Sequence, residues 1–300
     1  AALSLEQVAG LTSWQLSNLT TAQVTALGTA QIVAVETTDL RALTTTQVAA
    51  LTSSQVGALS LEQVGVLTTQ QVPNLSVSAV RALAVDRVAV LSSAQVFSLT
   101  TLQVSSLGTA QVAALETTDL QALSTSQIVA LGTAQVAALT VDQVAALTTA
   151  QALNLLTAQV AAMGVGQVAA METADLSVLT TNQIGVLSSA QIAGLTDGQV
   201  ASLTTVQVGA LSTAGVRALS VSQVVALTSL QASVLTTAQI AVLTTGQVAA
   251  METNDLRALT TVQAAVLSSN QISVLSVDQV GALTSYQIAV LGTASLRGLD

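Results

Sequence analysis

Residues 19–26 read Leu-Thr-Thr-Ala-Gln-Val-Thr-Ala, and residues 235–242 read Leu-Thr-Thr-Ala-Gln-Ile-Ala-Val. The same eight-residue phrase recurs on either side of both. Counted from Leu3, the chain divides into 37 successive octads that end at Gly298, with no insertion or deletion. The consensus is L-[S/T]-T-A-Q-V-A-A. A fixed period of this kind is the mark of a repeat architecture. Ala1 and Ala2 complete one octad, and Leu299 and Asp300 open another. The frame therefore predicts a stretch cut from a longer array. Nothing resembles a linker, so residues 1–300 are expected to form a single continuous repeat domain.

The eight positions differ in what they accept. Position 1 is Leu in 33 octads, the exceptions being Val35, Met163, Met171 and Met251. Position 6 is always aliphatic. Position 5 is Gln in 29 octads, and position 2 is mostly Ser or Thr, with Gly next. Position 4 takes Glu6, Trp14, Asp86, Leu102, Asn182 and Tyr286 alike, and position 7 is nearly as permissive. Positions 1 and 6 read as core, and positions 4 and 7 as surface.

Three architectures compete for an octad. In one straight helix, eight residues overshoot two turns by about 80°. The leucines would then wander around the cylinder, and no apolar face would persist. A strand suits the Val, Ile and Thr content. It sends positions 1 and 6 to opposite faces, however, and fixed Gly, Asn or Asp turn residues are missing. A β-solenoid is the alternative on that side. The third architecture is a very short helix in each octad. Ser or Thr at position 2 with Gln at position 5 is the S/T-x-x-Q capping box. Position 6 and the next Leu are three apart and share a face. The following cap forces a bend. The expectation is an all-α solenoid, a superhelix of capped helices with one helix per octad. Such helices are unstable alone and depend on stacking. Pro73, at position 7, removes a helical donor and predicts a local distortion.

Composition excludes several chemistries. Apolar residues make up 51%, aromatics 1% and charged residues 7%, with a net charge of −9. Lys, His and Cys are absent. The chain has no basic patch for nucleic acid, no imidazole or thiolate metal site and no disulfide framework. Its serines lack a His or Lys base. No catalytic residue and no cofactor are implied, and the chain does not read as an enzyme. Gln, Ser, Thr or a charged residue interrupts every octad, so no transmembrane segment is expected.

Four octads depart from the consensus together. They carry Glu36 with Asp39, Glu116 with Asp119, Glu172 with Asp175, and Glu252 with Asp255, each pair followed by Leu at position 6. One reading is a variant cap, with two acids at the positive end of a helix. The other is a pair of carboxylates, three residues apart, that holds Ca²⁺ weakly. Arg41 and Arg257 follow two of the pairs, either as solvated side chains or as neutralising partners. Trp14 and Tyr286 stand at the tolerant position 4.

The phrase at Leu19–Ala26 and Leu235–Val242 resembles octapeptide repeat arrays in large secreted or surface proteins of Gram-negative bacteria. That resemblance implies an extracellular or cell-surface structural or adhesive role. The uniform repeat itself favours a rod, spacer or filament subunit. A weakly charged, small-residue exterior favours self-association into filaments or sheets. An extended binding solenoid for a surface or host ligand, and an ice-binding surface built from regular Thr rows, are the alternatives.

Overall fold

A computed structural model of the chain describes residues 3–293. The frame ends at residues 1–2 and 298–300 lie outside them. Among the described residues, helices of four to six residues succeed one another at eight-residue spacing, and there is no strand. The chain is an all-α solenoid, and the β-solenoid alternative is overturned. It divides into two compact units, Ala1–Asn154 and Leu155–Asp300, and both use the same local construction.

The octad at Leu99 shows why the sequence folds this way. Thr100 is extended (φ −72°, ψ 157°), and its hydroxyl accepts the Gln103 N–H at 3.2 Å. The Gln103 Oε1 accepts the Thr100 N–H at 2.8 Å. This is the capping box expected from the sequence, and it satisfies donors that the first turn of any helix leaves free. The helix Thr101–Ser106 comes next. Leu107 then leaves the helical region (φ −57°, ψ 142°) while its N–H still bonds to the Val104 carbonyl at 3.2 Å. The next residue, Gly108, is the following N-cap and is extended as well. Two consecutive extended residues thus turn the chain once per octad.

In the first unit, Ser13–Ser17 packs on Thr37–Leu40, Thr21–Ala26 on Thr45–Ala50, and Thr101–Ser106 on Thr125–Ala130. In the second, Thr181–Gly185 packs on Thr205–Ala210, and Thr213–Ala218 on Thr237–Val242. Within each unit, helices therefore rest on those three octads away. Position 6 faces fully inward, as at Val104 and Val208, and position 1 is nearly as buried, as at Leu107 and Leu211. Met163, Met171 and Met251 sit in the core in place of Leu. Position 4 is exposed, as at Trp14, Leu102 and Tyr286.

The distortion expected at Pro73 is present and local. A 3₁₀ segment, Val72–Asn74, replaces the helix of that octad. Val72 still donates to Thr68, and Leu75 to Val72. No helix among the described residues is long and apolar enough to cross a membrane.

Candidate functional site

The one polar side chain that the octad buries is the Gln of position 5, and its environment organises the rest. Gln103 is 1% exposed. Its Oε1 closes the capping box in its own octad. Its Nε2 donates to the Val72 carbonyl at 3.0 Å and the Leu75 carbonyl at 2.7 Å, 31 and 28 residues earlier. In the second unit, Gln207 donates to Leu176 at 2.9 Å and Leu179 at 2.8 Å, with the same separations. Those carbonyls belong to the C-terminal end of a helix one turn back. Helix C-termini leave carbonyls with spare acceptor capacity, so each of these buried Gln side chains caps two helices, the N-terminus of its own and the C-terminus of the one beneath. A separation of 28 to 31 residues means that a turn takes between three and four octads.

The expectation at position 5 covered only the capping box. It missed the burial and the bonds to the preceding turn. Gln7, Gln15 and Gln23 are exposed. Gln31 reaches one carbonyl, that of Leu3.

The four Glu/Asp octads interrupt this ladder. The aspartates are buried and the glutamates exposed. Each Glu serves as N-cap residue without a side-chain cap bond. An Asp is one methylene shorter than Gln and carries no N–H, so it cannot donate to the carbonyls below. It accepts instead. The Ser13 hydroxyl donates to Asp39, Ser93 to Asp119 at 2.7 Å, and Ser229 to Asp255 at 2.7 Å. In each case the serine lies 26 residues earlier, at position 3 of the turn below. The Asp255 Oδ2 is buried and has no hydrogen-bond partner. Burial pushes the Asp255 carboxyl above its ordinary value, and the Glu252 charge acts in the same direction. The Ser229 hydroxyl and the Glu252 backbone oppose them.

Within each suggested calcium pair the Asp is buried and the Glu exposed. No group of three or more acidic side chains gathers in a metal-holding arrangement among the described residues. Arg41 and Arg257 are exposed and make no ion pair with these carboxylates among the described residues. Arg87, which stands in a Gln position, donates its Nε to the Leu59 carbonyl and pairs with Asp86 at 3.2 Å.

The serine partners were missed in the sequence, although a signal existed. Ser13, Ser53, Ser93, Ser189, Ser229 and Ser269 all occupy position 3. The residues 26 places on are Asp39, Ala79, Asp119, Gly215, Asp255 and Ser295, and none is Gln. At Ser13, Ser93 and Ser229, position 3 of one octad faces the Asp at position 5 of the octad three further on, and none of these six serines has a Gln 26 places on, although Asp175 and Arg87 stand 26 places after Thr149 and Leu61. The Ala79 and Gly215 octads fill gaps between the Glu/Asp octads. The first set then begins at residues 35, 75 and 115, and the second at 171, 211 and 251, which is a spacing of five octads.

Fold and ladder together define a helical solenoid repeat protein. Segments 32–69, 112–149, 168–205, 203–237 and 248–285 match the ALTTAQ repeat. They cover more than half of the chain, and the chain belongs to that family. Four of the five segments open three residues before a Glu/Asp octad, so that octad is a regular part of a unit close to five octads long. No curated protein matches the chain.

Proposed function

We propose that this chain is a non-catalytic structural element outside the cell or at its surface, a spacer or filament subunit that associates with copies of itself. The observation that carries the reading is the ladder. Most octads commit their two core aliphatics and a single buried amide to holding the adjacent turn. The sequence is left free mainly at positions 4 and 7, which face outward. The family assignment agrees with an array-built protein. The resemblance to secreted and surface arrays supports the location.

Self-association is supported by the surface. Trp14, Leu102, Leu230 and Tyr286, all at position 4, are 68–76% exposed, among neighbours that are small and uncharged. Exposed apolar groups on a weakly charged surface favour contact between molecules. Sedimentation and negative-stain microscopy at increasing concentration test this part, with ordered assemblies expected. A strictly monomeric chain at high concentration would sink it. Protease treatment of intact cells tests the location, since a surface array is digested and an internal one is protected.

A further inference from the structure

In most octads position 8 is the last residue of its helix or the C-cap that follows it, and three octads place Asn there: Asn18, Asn74 and Asn154. All three are exposed. They share one geometry, in which the side-chain Nδ2 donates to the carbonyl four residues earlier. The distances are 2.7 Å to Trp14, 2.8 Å to Gln70 and 2.8 Å to Ala150. They differ in the second residue after the Asn. Asn18-Leu19-Thr20 and Asn74-Leu75-Ser76 put a hydroxyl there, whereas Asn154-Leu155-Leu156 does not. Asn-x-Ser/Thr without Pro between is the acceptor sequence for N-linked sugar.

We propose that Asn18 and Asn74 are acceptor sites for an N-linked sugar. The donor is a sugar activated through phosphate at its anomeric carbon, either nucleotide-linked or lipid-pyrophosphate-linked. A transferase brings it to the Asn. The Nδ2 forms the new bond to the anomeric carbon, the bond from that carbon to the phosphate oxygen breaks, and the phosphate leaves with the electron pair. One amide proton is released, and nothing is oxidised or reduced. The fold tolerates the product. The bond to the carbonyl four residues back uses one of two Nδ2 protons, and the glycosylated amide keeps one.

The hydroxyl partners are occupied in the folded chain. Thr20 caps its helix by accepting the Gln23 N–H at 3.2 Å, and Ser76 accepts the Ala79 N–H at 3.1 Å. Transfer therefore precedes winding of these turns, while the sequon is still extended. Trp14 is 75% exposed, lies one helical turn before Asn18, and is the only Trp. Residues four apart share a helix face, so a sugar on Asn18 lies beside the indole and changes its fluorescence. The proposal stands apart from self-association and is tested separately.

The test is peptide mapping by mass spectrometry of the chain purified from the cells that make it. Sugar is expected at Asn18 and Asn74 and not at Asn154. A single hexose-sized addition identifies a nucleotide-linked donor, and an oligosaccharide identifies a lipid-linked one. Asn18→Gln and Asn74→Gln should each remove one addition with an unchanged far-UV circular dichroism spectrum. Asn18→Gln should also shift the Trp14 emission. Leu156→Thr should create a third occupied site. Unmodified Asn18 and Asn74 would overturn the proposal. Sugar on Asn154 of the unaltered chain would overturn it too, because the hydroxyl would then not be what selects the site.

Discussion

The amide of Gln103 is divided between two turns, and its two ends have separable energies. Replacement by Ala removes the oxygen that holds the Thr100 N–H. It also takes the side-chain donor from the Leu75 carbonyl and leaves the Val72 carbonyl with the Leu75 N–H alone. Buried groups deprived of a partner cost about 1–3 kcal/mol each. Gln103→Ala should therefore lose about 3 kcal/mol in urea unfolding, and Gln103→Glu more, because a carboxylate would face two carbonyls. Gln15 makes only the capping contacts among the described residues and is exposed, so Gln15→Ala should cost under about 1 kcal/mol. Equal losses at the two sites would refute a cross-turn role for Gln103. Asp255 behaves in the opposite way to an ion-paired carboxylate. Its pKa is raised in the folded chain, so the folded state takes up a proton at a higher pH than the unfolded state. Its contribution to stability therefore improves as pH falls through the folded pKa and levels off below the unfolded one. Asp255→Asn should stabilise the chain at pH 7 and make little difference in acid. Thermal melts across that range would show the two variants converging.

At the level of the element, a helix of five or six residues exists because its ends are held. Thr100→Ala removes a cap and should cost about 1 kcal/mol. The neighbouring Thr101 is exposed and caps nothing, so Thr101→Ala should stay within about 0.5 kcal/mol. The two threonines are identical in composition, and only their place in the octad separates them. That contrast also marks what the sequence disclosed. The core at positions 1 and 6, the cap at position 2 and the bend after each Leu all stem from rules acting within eight residues, and all were legible. The reach of Gln103 to Val72 and Leu75 was not. It depends on how many octads complete a turn, a quantity set by packing between octads and written in none of them. The Glu/Asp octads were visible as linked changes for the same reason that their partners were hidden. Glu252 and Asp255 lie within one octad, while Ser229 lies three octads away. Only pairing at a separation of 26 residues exposes it, and there the exclusion of Gln opposite Ser is the trace that was left.

For the whole molecule, stability must come from stacking, since each helix is too short to persist alone. A peptide of about three octads has caps but no turn beneath it, and circular dichroism should show it unfolded. Lengthening by successive octads should bring helicity in sharply once turns begin to overlap, as expected of a nearest-neighbour array. Helicity rising in simple proportion to length would contradict this. The ladder also restricts how such a chain can grow. Inserting one Ala within the helix Thr101–Ser106 would add one residue between each Gln of the following turn and the carbonyls it must meet before the insertion, 28 and 31 residues back in the intact chain, and those adjacent turns would lose their match at once. Inserting a complete octad would leave each amide facing an equivalent carbonyl. The molecule behaves like a ruler graduated in eights, whose extent can be altered only by whole divisions, and this accounts physically for a reading frame that runs from Leu3 onward without a slip.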